Sequence, residues 1–339
     1  MKSGEVQINT LARSLYSQLI MLTNILNKLK ANFFSKAHNI TSQSIWDSSS
    51  EQYIKHDFKI YWETLSRVSE YQFRCMTGDE KKDYLTYTIE YVRDNIGMKN
   101  LRGLSIGCGE MAAPEMVFMQ TGYFRRFDVM DIAEGLLRKQ DQLAQNRGLK
   151  GIIYSKQDLN NFRLEDDIYD LIWAVGTIHH IQELENLFDQ VNNSLKERGI
   201  FVMREYVGPN RIQLSDRQLG IVNEILSSLP DKYKRMPYGS IKDIEKRVKK
   251  EKLIAVDPSE AIRSQEILPI MRKNLEIIHF ANTGGTILQP LLNQIASNFE
   301  RDADGDAILR TVILLERTMI ESGILPSDYV FCMAKKKIS

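Results

Sequence analysis

The first regular spacing of apolar residues along the 339-residue chain is Leu15, Leu19, Leu22, Leu26 and Leu29, in steps of four and three that put them on one helical stripe. Such a stripe must be covered. With under three heptads it suits docking on its own domain or a homodimer seam better than an interfacial membrane helix. Residues 45–92 continue as a helical, aromatic-rich stretch (Trp46, Tyr53, Phe58, Tyr61, Trp62, Tyr71, Phe73) broken at 77–79 around Gly78. From Leu101 the period changes to short apolar runs alternating with helical spans. The runs predict strands at 103–106, 126–130, 151–155, 169–175 and 199–205, with helices near Glu115, Leu136 and Leu187 between them. This order predicts an α/β fold with a doubly wound, mainly parallel sheet of Rossmann-like type. Two later runs, 275–280 and 329–334, enclose a helical insert over 287–320 and predict an antiparallel edge pair, making seven strands. The chain thus divides into a helical N-terminal extension, 1–95, and a main domain, 96–339. Insertions at about 212–252 and 286–325 exceed what the sheet needs for connection and are expected to fold over its carboxyl edge as a substrate cap.

Composition changes this picture little but excludes several function classes. Lys plus Arg number 45 against 44 Asp plus Glu, so no net field recruits nucleic acid or an anionic membrane over distance. The basic run KRVKKEK from Lys246 lacks interleaved aromatics and reads as a solvated helix face. Cys75, Cys108 and Cys332 lie far apart with no metal-ligand spacing, which supports neither a disulfide framework nor a zinc site and fits a reducing compartment. No apolar stretch approaches the roughly 18 residues needed to span a bilayer, and no signal-peptide pattern precedes the domain, so a cytoplasmic protein is expected. DADGD at Asp302 starts like a calcium loop, but Ala307 and Ile313 stand where glycine and glutamate belong; a helix-linking turn is expected.

The chemistry sits where strands end. In LRGLSIGCGEM a strand runs into Gly107, Cys108 and Gly109, whose two glycines allow a tight bend and close approach of a ligand. One βα unit downstream Asp131 closes the next strand, where a carboxylate accepts hydrogen bonds from ribose hydroxyls, with a helix cap as the plainer role. Asp158 follows the third strand and is either an exposed loop aspartate or an acceptor for an adenine amino group, with Ile132 and Leu159 sandwiching the ring. After the fourth strand, YDLIWAV, come Gly176 and the adjacent His179 and His180, placed beyond the carboxyl edge where ligands bind in such sheets. The fifth strand ends in Glu205 and Tyr206, followed by Pro209 and Arg211.

The order and spacing of these four elements over about 101–211 resemble the class I S-adenosylmethionine-dependent methyltransferases. The resemblance implies S-adenosylmethionine as cofactor and S-adenosylhomocysteine as product. It maps the family's glycine motif onto Ser105 to Gly109, its ribose acid onto Asp131 and its adenine-side acid onto Asp158; Cys108, Ile132, Leu159 and Val175 complete the expected cofactor wall. The chain departs from the pattern at Ser105, where the family often has an acid, and at Met111, where it often has a third glycine. Both loosen contacts to the amino-acid end of the cofactor. GCGEMA lacks the full GxGxxG spacing, which disfavours a nicotinamide-binding reading.

Paired histidines after the fourth strand and an acid after the fifth are similar to sugar O-methyltransferases, and EYVGPNR is similar to methyltransferases of bacterial surface-glycan synthesis. The expected reaction is methyl transfer to a hydroxyl of a small molecule or glycan. His179 or His180 is the general base, Glu205 orients the imidazole or the acceptor, and Tyr206 and Arg211 contact the substrate. His179, His180 and Glu205 are competent metal-ligand types, but without further placed carboxylates no metal is assigned. The alternatives are N-methylation of a small molecule and a cofactor-binding scaffold without turnover. Nucleic-acid acceptors are disfavoured, because no basic groove and no aromatic motif for a flipped base is evident.

Overall fold

The computed structural model describes residues 61–109, 113–237 and 239–337; the leucine stripe at 15–29, Trp46, Tyr53, Phe58 and Met111 lie outside these residues. Seven strands form one sheet: β1 Leu101–Ile106, β2 Phe124–Asp131, β3 Ile152–Lys156, β4 Tyr169–Val175, β5 Leu195–Tyr206, β6 Leu275–Gly284 and β7 Tyr329–Lys336. Their spatial order is β3-β2-β1-β4-β5-β7-β6. Strands β1 to β5 pair in parallel, while β7 runs antiparallel to both β5 and β6. The last pair is therefore antiparallel as expected, with β7 inserted between β5 and the edge strand β6. The predicted strands all form, with β5 starting earlier and β6 ending later than the apolar runs suggest.

Strand β4 is central and buried over all but its last residue, which is why its sequence from Leu171 to Val175 is continuously apolar rather than alternating. Its side chains still divide by the period of two. Ile172 and Ala174 join Ile106, Phe201 and Met203 on one face, covered by Leu184 and Phe188 of α5 (Leu184–Ser194) and Met271 of α9 (Ile267–Asn274). Leu171 and Trp173 join Phe127, Val202 and Phe331 on the other. There the Phe118 and Phe127 rings stack at 5.5 Å, and Phe118 meets Trp173 edge-on at 5.3 Å. A Cβ on Gly103 would fall 2.2 Å from the Phe127 ring, so the first strand needs a glycine there to let this aromatic layer close.

Two helices of the N-terminal stretch, α1 (Ser66–Thr77) and α2 (Tyr84–Asn95), cover that second face, with Met76 and Val92 in its core and Tyr84 stacked on Trp173 at 5.6 Å. Gly78, at φ 81°, ends α1 in the left-handed conformation, and Asp83 caps α2 by accepting the Thr86 N–H at 2.7 Å. The helices α3 (Pro114–Gln120) and α4 (Glu134–Asn146) complete the parallel crossovers.

A separate apolar cluster lies at the end of the sheet where β5 and β6 finish and β7 begins. It joins Trp62 and Tyr71 to Val222 and Leu226 of α6 (Asp216–Ser228), Tyr233 of α7 (Asp231–Lys234), Leu291 of α10 (Leu288–Leu292), and Leu309 and Val312 of α11 (Ala303–Glu321). Ser215 and Gln218 form a reciprocal capping box that starts α6. Asp302 caps α11 by accepting the Gly305 N–H at 2.7 Å, so DADGD is a helix-starting turn. A short helix, α8 (Lys250–Val256), leads into the loop 257–263. Among the described residues no helix is long and apolar enough to cross a membrane.

Candidate active site

Beyond Ile106 the chain bends through Gly107 at φ 83° and Gly109 at φ 56°, a left-handed conformation that any Cβ would strain. The buried Ser105 hydroxyl donates to the Gly107 carbonyl at 2.8 Å, so the residue at the family's acidic position ties the turn instead. A Cβ on Gly107 would lie 2.1 Å from Thr177 Oγ1, which puts the turn after β1 directly against the turn after β4. Gly109 is exposed, and a Cβ there would meet nothing within 4 Å among the described residues.

Asp131 faces this turn. Its Oδ2 accepts the Cys108 N–H at 2.9 Å and its Oδ1 accepts the Ala133 N–H at 2.8 Å, so one carboxylate both holds the glycine turn and starts α4. A carboxylate has about four lone-pair sites, and these two bonds leave acceptor capacity on each oxygen for vicinal hydroxyls. The open cradle and the half-buried acid fit the nucleoside of S-adenosylmethionine. Ile132 is half-buried beside Asp131; Val175 is half-buried at the end of β4, before Gly176 at φ 62°. Asp158 is exposed, its Oδ1 accepting the Asn160 N–H at 2.9 Å, whereas the Leu159 side chain is buried in the first-face core. The Cys108 thiol is buried and pushed up by burial and by Asp131, so it is an inert neutral group.

Past Gly176 the chain makes a short 3-10 turn, Ile178–His180, that presents both imidazoles at the sheet edge, ring centroids 4.1 Å apart. Glu205, 1 % exposed, lies behind them. Its Oε2 accepts the N–H groups of Thr177 and Ile178 at 2.9 and 2.7 Å, and its Oε1 accepts the Tyr206 N–H at 2.9 Å together with a short bond from His179 Nδ1. Glu205 therefore orients the imidazole. Tyr206 is buried with its hydroxyl donating to the Pro209 carbonyl at 3.1 Å and its ring edge-on to His179.

The opposite wall comes from the loop after α8, which the sequence patterns did not single out. Ser259 Oγ lies 3.1 Å from His180 Nδ1 and donates to Asp257 Oδ1 at 2.6 Å. Glu260 stands between the rings, Oε1 at 3.8 Å from His179 Nε2 and Oε2 at 4.0 Å from His180 Nε2. Arg211 braces this wall from behind: its Nη1 donates to the carbonyls of Pro258 and Glu260 at 2.8 and 3.0 Å, and its own N–H to Ala261. Arg211, Ile212 and Ala261 all adopt positive φ, so strain collects where the wall meets β5. The only local hint of the wall was DPSE, two carboxylates in a four-residue turn.

The two imidazoles are pushed apart in basicity. Burial opposes a charge on His179, but the Glu205 and Glu260 carboxylates outweigh it and carry the imidazole up to about 9. Burial and the neighbouring His179 charge drive His180 the other way, well below the ordinary histidine range. Burial raises the Glu260 carboxyl. The pair thus divides into a charged His179 and a neutral His180 at neutral pH.

Residues 104–203 match the family model described as a methyltransferase domain. A human protein, N-terminal Xaa-Pro-Lys N-methyltransferase 1, is 29% identical over 113 residues, 31% of this chain and 51% of the relative, so the chain spans about half the length of that curated relative. Among solved structures, phosphoethanolamine N-methyltransferase 2 of Haemonchus contortus with S-adenosyl-L-methionine shares 14% identity over 89% of this chain and 61% of that one, at a TM-score of 0.49. A geranyl diphosphate methyltransferase in complex with S-adenosylmethionine shares 12% identity over 74% of this chain and 85% of that one, at a TM-score of 0.43. The matched segment spans the glycine turn, Asp131 and both histidines, and the seven-stranded sheet that carries it is the Rossmann-like fold of methyltransferases.

Proposed function

We propose that this chain transfers the methyl group of S-adenosylmethionine to a hydroxyl of a small molecule or glycan, with the histidine cluster activating the acceptor. The observation that carries this reading is the geometry of His180, whose Nδ1 is bonded to Ser259 Oγ and through it to Asp257, on the turn just after Thr177, which packs against the glycine turn at Gly107; burial and the neighbouring His179 push its basicity down. The cofactor supplies an already activated methyl carbon, so the protein's main task is to hold the acceptor in line with it, worth about 7–11 kcal/mol of barrier. A hydroxyl must also lose its proton as the new bond forms. His180 accepts that proton; His179, held by Glu205, orients the acceptor beside it.

A specific observation favours a second reading, N-methylation. Glu205, Asp257 and Glu260 surround the two imidazoles, and such a wall suits an acceptor that carries an ammonium group. A mass-shift screen of paired alcohol and amine acceptors separates the two. His180→Ala is expected to lower turnover about 10²- to 10⁴-fold with S-adenosylhomocysteine affinity unchanged. Full turnover in that variant overturns the base assignment, and cofactor binding with no turnover on any acceptor in the wild type favours the scaffold reading.

A further inference from the structure

We propose that His179, His180 and Glu260 form a binding site for one divalent transition-metal ion, zinc being the best match. One ring nitrogen from each histidine and one Glu260 oxygen lie within 4.8 Å of one another. The two Nε2–carboxylate separations, 3.8 and 4.0 Å, compare with roughly 3.4 Å between neighbouring ligands of a tetrahedral ion with ~2.05 Å bonds. Two imidazoles and one carboxylate are the donor set of open zinc sites, in which the fourth position is left to water or substrate.

Independent support comes from behind the rings. A metal-binding histidine is normally oriented by a hydrogen bond from its other ring nitrogen to a carboxylate or similar acceptor. Both histidines have this here, by different routes. His179 Nδ1 is bonded to the buried Glu205, whose remaining capacity is filled by three backbone N–H groups. His180 Nδ1 is bonded to Ser259 Oγ, and that hydroxyl in turn donates to Asp257. Each arrangement keeps Nδ1 protonated and turns Nε2 toward Glu260, so that an ion would displace the Nε2 proton of His179 on binding. The sequence placed no carboxylate in front of the histidines; the fold brings Glu260 there and sets Glu205 behind His179. The cysteines play no part, since Cys108 and Cys332 are buried elsewhere in the core.

The inference does not rest on the base assignment and competes with it: an ion on His180 Nε2 would take the lone pair that otherwise accepts the proton, and would itself lower the pKa of a bound hydroxyl; occupancy is measured without an acceptor. Chelator-stripped full-length protein is titrated with Co²⁺ while visible absorption is followed, then challenged with Zn²⁺. The expected result is saturation at one Co²⁺ per chain, with the intense bands of a tetrahedral site, abolished by equimolar Zn²⁺. His180→Ala and Glu260→Ala each abolish the bands, and Ser259→Ala, which removes only the orienting hydroxyl, weakens binding about 10- to 100-fold. S-adenosylhomocysteine affinity, read by calorimetry on the same samples, stays at the wild-type value and shows that the variants are folded. No saturable Co²⁺ uptake by the wild type overturns the proposal. So does uptake undiminished in both Glu260→Ala and His180→Ala, which places the ion elsewhere.

Discussion

At the scale of single residues, the glycine turn depends on one carboxylate with several partners. Asp131→Ala removes the acceptors of two backbone N–H groups and the proposed acceptor for the ribose hydroxyls. It is expected to weaken S-adenosylhomocysteine binding about tenfold or more and to cost about 1–3 kcal/mol of stability. Calorimetry and urea unfolding check the two effects separately; undiminished affinity would mean that the nucleoside lies away from Asp131. Asp328 is a second residue-scale case. It is fully buried at the head of β7, with Oδ2 accepting from Gln218 Nε2 at 3.0 Å and Oδ1 without a hydrogen-bond partner among the described residues. Burial is the chief cause that lifts its carboxyl to about 7. The native state therefore holds this proton more tightly than the unfolded chain, whose aspartate titrates near ~4. The resulting contribution is complete below pH ~4 and is lost as pH rises through about 7. Asp328→Asn is expected to be about 1–3 kcal/mol more stable than wild type at pH 8 and no more stable at pH 4. Parallel urea curves for the two proteins across that range would show that Asp328 does not contribute this slope.

At the scale of elements, α11 holds α10 through a buried acid. Glu316, fully buried on α11, accepts the N–H groups of Gly285, Ile287 and Leu288 at 3.0, 2.6 and 2.8 Å, which terminates β6 and starts α10. These donors have no intrahelical partner, so the carboxylate does the work that a cap residue does elsewhere. A Cβ on Gly284 would sit 2.1 Å from Glu316 Oε1, so the close approach also demands that glycine. Glu316→Ala leaves three buried donors unsatisfied and is expected to destabilise by about 3 kcal/mol or more, whereas Glu316→Gln retains one acceptor oxygen and costs less. Thermal unfolding of the two variants tests the order; equal losses would assign the effect to packing. The 3-10 turn carrying His179 and His180 is built on the same principle, with Glu205 accepting the Thr177 and Ile178 N–H groups.

At the scale of the whole molecule, the sheet core and the cluster at its edge are distinct apolar bodies. The edge cluster gathers Trp62 and Tyr71 from the N-terminal stretch with residues from 222–233, 287–299 and 309–325. Leu291, fully buried within it, is expected to cost about 2–5 kcal/mol on truncation to Ala. Amide exchange should accelerate in α1, α6 and α11 well before it does in β1 and β4. Uniform acceleration across the sheet would instead show one cooperative unit.

Much of the protein is legible without coordinates, because its information is local. A continuous apolar run long enough to cross a sheet made β4 recognisable, glycines at a strand end made the turn at 107–109 recognisable, and the order of these elements fixed the parallel sheet and the edge at which chemistry collects. Adjacent histidines were visible for the same reason: a strand's end determines where the next few residues point. What only the tertiary structure decided depends on residues distant in sequence. Ser259 meets His180 across 79 positions, and Glu260 arrives with it on a loop whose own pattern says only turn. β7 inserts between β5 and β6, Leu159 turns into the core, and Arg211 braces a wall, all by long-range packing. The division of the two imidazoles into one charged and one neutral follows from burial and from which carboxylates converge on them, and neither quantity exists until the chain has closed on itself.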